Sequence, residues 1–156
     1  MGTYSNSAEA EADRAQQMRM IGALGAWTRA LRKDECAAWR VSGKHGRIYT
    51  WGDGSTWLLS VQCRSARHWA ATKGRLGFCE LTQDCDDEGC LRLRRLPTLT
   101  EAAVIRDVLG IRKRAELGLA ERERRRAIGK WLAQRQGRRS GTNQGGKPQA
   151  PPPPQI

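Results

Sequence analysis

Asp84-Cys85-Asp86-Asp87-Glu88-Gly89 is the densest acidic run in the chain. Acids at its first, third and fifth positions with Gly at the sixth match the opening half of a calcium-binding EF-hand loop. The twelfth position is Arg95, where that loop needs a bidentate Glu. An acidic, glycine-closed hairpin turn accounts for the same residues, so no calcium site is expected. Cys79, Cys85 and Cys90 have five and four residues between them, whereas structural zinc takes two close Cys pairs. Only Cys85-x4-Cys90 comes near that spacing, and no metal is expected there either. The alternative chemistry is a cross-link between those two thiols, facing each other across the turn, under oxidation. The chain has 5 cysteines (36, 63, 79, 85 and 90), an odd number without a regular frame, which implies packed reduced thiols rather than a secreted disulfide scaffold.

Nucleophilic or general-base catalysis would have to use His45 or His68, the 2 histidines present. His45 lies in the loop S-G-K-H-G and His68 beside Trp69, and the carboxylates that could assist either are gathered at positions 84–88. The glycine-containing loops fit neither the P-loop nor the dinucleotide spacing. The expectation is a non-enzymatic protein with no cofactor.

The residues that do suggest chemistry are arginines. Formal net charge is +12, and it is uneven: up to Thr100 there are 15 Lys+Arg against 11 Asp+Glu, and from Glu101 onward 13 against 5. Blocks at Arg112-Lys113-Arg114, at Arg122 with Arg124-Arg125-Arg126, and at Arg138-Arg139 would attract a polyanion through counterion release. A solvated basic helix face explains the same blocks.

Those side chains must be held by elements, and the clearest is a hairpin. Arg47-Ile48-Tyr49-Thr50-Trp51 and Thr56-Trp57-Leu58-Leu59-Ser60-Val61 alternate around Gly-Asp-Gly-Ser, and Asp53-Gly54 suits a type I′ turn. Centring that turn sets Trp51 opposite Thr56, Thr50 opposite Trp57, Tyr49 opposite Leu58 and Ile48 opposite Leu59. One face then carries Ile48, Thr50, Trp57, Leu59 and Val61 toward the core; the other carries Arg47, Tyr49, Trp51, Thr56, Leu58 and Ser60.

Around this hairpin the pattern predicts an α+β fold: a small four-stranded antiparallel sheet built from two hairpin-helix units over 39–111. Ser65 caps a helix from Ala66 to Lys73 that Gly74 ends. Strands at Phe78–Asp84 and Cys90–Leu96 follow, then a helix from about Thr100 to Leu109, opened by the capping box Thr98-Leu99-Thr100-Glu101 and ended by Gly110. Gly54 and Gly89 are 35 apart, Ser65 and Thr100 35 apart, Gly74 and Gly110 36 apart, which suggests a unit present twice; convergent turn chemistry would give the same spacing. Met20, Leu24, Trp27 and Leu31 form one stripe of an amphipathic helix over 8–36, weakened by Gly22 and Gly25. Residues 112–136 read as a basic helix with Leu117, Leu119, Ile128, Trp131 and Leu132 as apolar contacts. Residues 1–7 and the tail GRRSGTNQGGKPQAPPPPQI at 137–156 read as disordered.

In the last strand Leu91 and Leu93 would point inward, and Arg92 and Arg94 outward. The outer sheet face would then combine Tyr49 and Trp51 with Arg47, Arg92 and Arg94, aromatic planes interleaved with guanidinium groups as in sheet-type nucleic-acid binders. The competing arrangement covers that face with the N-terminal helix and leaves the arginines at its rim.

No stretch approaches the ~20 apolar residues of a membrane span. MIGALGAW at 20–27 is short and follows Glu9, Glu11 and Asp13, which argues against a secretory signal, and Asn6 departs from the myristoylation pattern. The expectation is a cytoplasmic protein.

The stretches GRIYTWGDGSTWLLSV, SARHWAATKGRLGFCELTQDCDDEGCL and LPTLTEAAVIRDVLGIRKR resemble short hypothetical proteins of high-GC bacterial genomes, alphaproteobacteria in particular, over about residues 39–114. The resemblance implies a bacterial cytosol and carries no activity, ligand or site residue. A second similarity, of topology, is to hairpin-plus-helix DNA readers of the AP2 and integrase-arm type. The sequence thus points to a nucleic-acid-associated protein binding DNA or RNA, with docking of the basic helix and the Pro151–Pro154 segment on an acidic protein as the alternative.

Overall fold

The computed structural model describes residues 7–116 and 118–140. It divides into two units, Met1–Arg114 and Ala115–Ile156. The fold is α+β: among the described residues there are four α-helices and a six-stranded antiparallel sheet, two strands more than the sequence pattern implies.

Helix α1 (Ser7–Leu24) buries Gln16, Gln17, Met20, Ile21 and Leu24 along one stripe. Two of the five are glutamines, and their amides act as pins. Gln17 Nε2 donates to the carbonyls of Ile48 (2.9 Å) and Trp39 (3.2 Å), and Gln16 Nε2 to that of Thr56 (2.9 Å). The paired N–H groups offset part of the amides' desolvation and fix the helix along the sheet as apolar contacts alone would not, while Gln17 Oε1 is buried without a hydrogen-bond partner.

The helix stops twelve residues before the expected end at position 36. Gly25 adopts a left-handed φ of +57, and the N–H groups of Gly25 and Ala26 turn back to the carbonyls of Gly22 and Ile21. Trp27 and Leu31, assigned by spacing to the helical stripe, fall instead at a 3-10 turn (Thr28–Ala30) and on strand β1 (Leu31–Lys33). Asp34 then closes a tight turn, its Oδ1 accepting from the N–H groups of Cys36 and Ala38 (both 2.9 Å), and β2 (Trp39–Ser42) returns beside β1.

Strands β3 (Gly46–Thr50) and β4 (Trp57–Gln62) pair in the expected register, with Thr50 opposite Trp57, Tyr49 opposite Leu58 and Ile48 opposite Leu59. The turn between them is not type I′. That geometry needs positive φ at both central residues, and here Gly52 (+87) and Gly54 (+81) take it while Asp53 does not. Asp53 Oδ1 accepts from the N–H groups of Ser55 (3.0 Å) and Thr56 (2.7 Å), and Trp51 N–H closes the loop on Thr56 O (3.0 Å). A four-residue loop has the same parity as a two-residue one, so the faces are unchanged.

Helix α2 (Ala66–Arg75) is capped by Ser65 and passes through Gly74 to end at Leu76. Strands β5 (Glu80–Asp84) and β6 (Glu88–Leu93) follow, with a register shift between Leu81 and Gln83. Helix α3 (Leu99–Leu109) has both bonds of the capping box at Thr98 and Glu101 and ends on left-handed Gly110. The strand order is β1-β2-β3-β4-β6-β5, with β6 inserted between β4 and the edge strand β5. Leu91 and Leu93 are buried with Val41, Ile48, Trp57, Leu59 and Val61.

In the second unit, α4 runs Leu119–Ser140; of the expected basic helix over 112–136, residues 112–114 of the first unit and 115, 116 and 118 of the second are not helical. Arg122, Arg124, Arg125 and Arg126 are exposed on it, Arg125 paired with Glu121 (2.9 Å) one turn back. Ser7 and residues 137–140, expected to be disordered, fall within helices; the rest of the two terminal stretches, with Pro151–Pro154, lies outside the described residues.

Candidate nucleic-acid interface

Helices α1, α2 and α3 all pack against the same side of the sheet. For α1 this follows from the Asp13 carboxylate, which accepts from Thr50 Oγ1, and from the Arg19 guanidinium over the Trp57 ring at 5.9 Å; Thr50 and Trp57 both lie on the inner face. For α2 it follows from Gly89, on the row Gly46–Val61–Gly89, where an added Cβ would stand 2.3 Å from Cζ2 of Trp69. For α3 it follows from Gly46 on the same row, where a Cβ would meet Leu109 Cδ2 at 2.4 Å. The arrangement in which the N-terminal helix covers the outer face is therefore excluded. Within Met1–Arg114 the outer face carries no helix.

Register defines what that face displays. Arg32 pairs with Arg40, Tyr49 with Leu58, Leu58 with Arg92 and Arg92 with Glu80, and one step beyond the Val41–Ile48 pair sets Arg40 beside Tyr49. A single row thus crosses all six strands as Arg32, Arg40, Tyr49, Leu58, Arg92 and Glu80. The neighbouring row holds Ser42, Arg47, Ser60, Cys90 and Gln83. Trp51, 58% exposed, stands at the hairpin end. At strand spacings of ~4.8 Å, six strands make a face ~24 Å wide. By register it carries five arginines (32, 40, 47, 92 and 94) against Glu80 and Glu88.

The arginines are not equivalent. Glu80 grips two of them: Arg92 through Nε at 3.1 Å and through a second bond from Nη2, and Arg94 through Nη2 at 3.3 Å. The Arg92 guanidinium beside it holds the Glu80 carboxyl below the usual carboxylate range, so the clamp stays ionised at neutral pH. Arg47 is exposed, and the Tyr49 hydroxyl beside it on the same strand raises its pKa. Arg40 is half-buried, with Nε out of contact with solvent and without a hydrogen-bond partner, and the Ser42 hydroxyl is in the same condition.

Of the twelve positions singled out by sequence, Arg47, Tyr49, Trp51, Arg92 and Arg94 share this face. Arg112, Lys113 and Arg114 do not lie on a helix. They form an extended strap past the end of α3, where Lys113 bridges to Ala26 and Arg114 N–H donates to Gly25 O at 2.7 Å. Arg122, Arg124, Arg125 and Arg126 belong to the other unit. Sequence reasoning missed Arg32 and Arg40, because both sit on the strands it did not foresee, and it missed the Glu80 clamp. The alternation of Trp39 and Val41 with Arg40 and Ser42 was the available signal.

The turn at 84–88 does other work. Asp84 accepts from Trp69 Nε1 (2.7 Å) and pairs with Lys73 (2.8 Å), tying α2 to β5. Cys85 N–H donates to Glu88 O while Cys90 lies opposite Gln83, so the two thiols do not face each other across the turn. Burial pushes the Cys79 thiol up to about 12, which leaves it protonated and unreactive. Among the described residues no group of three or more His, Cys, Asp or Glu side chains is placed to hold a metal, and no helix is long and apolar enough to cross a membrane.

No family model matches this chain, and neither a curated protein nor a solved structure matches it. The reading of function therefore rests on the geometry of the sheet face.

Proposed function

We propose that the protein is a non-enzymatic, cytoplasmic binder of single-stranded DNA or RNA, and that the strand lies across the outer sheet face. The observation that carries the reading is the placement of α1, α2 and α3 on one side, so that within Met1–Arg114 no helix lies over Tyr49, Trp51 and the row of arginines on the other. Bases stack on the aromatic planes while the guanidinium groups neutralise phosphates. A single strand suits this face better than a duplex, since stacking requires unpaired bases.

Fluorescence anisotropy with a labelled 12-nucleotide strand tests it. Arg32, Arg40 and Arg47 form no ion pair among the described residues. Three phosphate contacts predict a slope of log affinity against log salt of about −2. Tyr49→Ala and Trp51→Ala should each weaken binding about tenfold, from ~1–3 kcal/mol per stacked base. Absence of binding at 50 mM salt, or binding indifferent to both substitutions, removes the proposal. Capture of a protein that survives nuclease treatment would favour the acidic-partner reading instead.

A further inference from the structure

A hollow of about 400 Å³ opens beside the β1–β2 edge of the sheet. Its cations come from four separate segments: Arg29 from the 3-10 turn, Arg32 from β1, Lys44 from the loop after β2, and Arg112 from the strap after α3. No carboxylate lines it. Four like charges gathered round one cavity repel one another, and an anion in their midst reverses the sign of the interaction.

The main-chain groups of the wall agree. The C-terminus of α3 reaches this region and would ordinarily present carbonyls that disfavour an anion. Here they are occupied: Leu109 O accepts from His45 N–H (2.9 Å) and Gly110 O from Lys44 N–H (3.3 Å). These bonds, with Gly43 so close that an added Cβ would stand 2.0 Å from Leu109 O, fix the backbone at Lys44 against the end of α3 before any ligand arrives.

An aromatic wall completes the site. Trp27 lines the hollow with the Arg29 guanidinium stacked over its ring at 5.5 Å. The volume is more than one phosphate needs and falls within the ~300–1,000 Å³ of small-ligand sites. We propose that this hollow binds a nucleotide carrying a terminal phosphate, the phosphate among Arg29, Arg32, Lys44 and Arg112, the base against Trp27. The nucleotide is either free or the phosphorylated end of a strand; the hollow shares Arg32 with the outer sheet face, while Arg29, Lys44 and Arg112 belong to the hollow alone.

Isothermal titration of the full chain with adenosine, AMP and ATP, alongside 12-mers with and without a 5′-phosphate, tests it. AMP and ATP should bind and adenosine should not. A free-nucleotide site gives equal affinity for the two 12-mers; a strand-end site gives the phosphorylated one at least tenfold tighter binding. Arg112→Gln and Lys44→Gln, both exposed side chains whose loss spares the core, should each weaken AMP binding about tenfold while the thermal midpoint holds. No heat with millimolar AMP or ATP, adenosine binding as tightly as AMP, or AMP affinity unchanged in both variants would overturn the proposal. Lys44→Gln and Arg112→Gln leave the outer-face rows untouched, so loss of AMP binding with the unphosphorylated 12-mer still bound separates failure of the hollow from failure of the sheet-face reading.

Discussion

Glu80→Gln should make the protein bind a single strand more tightly. Glu80 holds Arg92 and Arg94 with bonds that include 3.1 and 3.3 Å contacts, so in the free protein two of the five outer-face arginines are already engaged by one carboxylate on the edge strand. Each phosphate contact on a single strand contributes about −0.7 to the slope of log affinity against log salt. With Arg32, Arg40 and Arg47 alone the slope is about −2, and freeing both clamped arginines takes it to about −3.5. Between 50 and 200 mM salt the wild type then loses about 20-fold in affinity and the variant about 130-fold. The variant should also bind more tightly at 50 mM. The substitution leaves the fold intact, because exposed ion pairs contribute little to stability, and Gln preserves the shape of the side chain. Mild acid does not imitate it, since Arg92 keeps the Glu80 carboxyl ionised below the usual carboxylate range. Anisotropy at three salt concentrations reads both quantities. An unchanged slope, or weaker binding by a variant whose melting is normal, would refute the placement of Arg92 and Arg94 under the strand.

Two further predictions concern the scaffold. Gly89→Ala would drive a Cβ to 2.3 Å from the ring of Trp69, which is 1% exposed and tethered to Asp84, and to 2.6 Å from Gln83 O. Overpacking of this kind costs about 1–3 kcal/mol, so the urea midpoint should fall with an unchanged slope, and wild-type stability would contradict the packing of α2 on β6. Arg95 and the Thr98 backbone N–H bring the Glu101 carboxyl down to about 2. A depressed carboxylate stabilises the fold above its unfolded-state value near 4.5 and loses that contribution as pH falls toward about 2. Melting midpoints should drop across that window in the wild type and drop less in Glu101→Gln; equal profiles would show that the cap does not couple to folding.

The hairpin from β3 to β4 was legible because strand alternation and loop residues agree at every position, and a loop of two or four residues gives the same faces. The inward Leu91 and Leu93 and outward Arg92 and Arg94 followed from the same period of two. What was not legible is the stretch from Gly25 to Ser42. Met20, Leu24, Trp27 and Leu31 continue one helical spacing, and only the left-handed Gly25 marks where the helix ends. The decision is made far away in the chain, where Ala26 bridges to Lys113 and Gly25 O receives Arg114 N–H. Gln16 and Gln17 were invisible for a related reason: their burial is permitted by carbonyls on β2, β3 and the hairpin end, which no local pattern announces. The cost fell on the site. The two unforeseen strands carry Arg32 and Arg40, and the strap misread as helix carries Arg112.

Those missed residues bear on the proposal that the outer face binds a polyanion. An antiparallel sheet with one wet face needs polar side chains there, and alternating signs would serve best, since like charges set directly opposite each other are destabilising. Arg32 stands opposite Arg40, a like-charged pair across adjacent strands, and Arg40 in turn lies beside Tyr49 in a row that reaches Arg92. Only at β5 does the row meet a carboxylate, Glu80. The free protein therefore carries a repulsion along β1 and β2 that an anionic strand laid across the sheet would relieve. On the proposed reading, phosphates set against Arg32 and Arg40 would stabilise both the complex and the sheet that makes it.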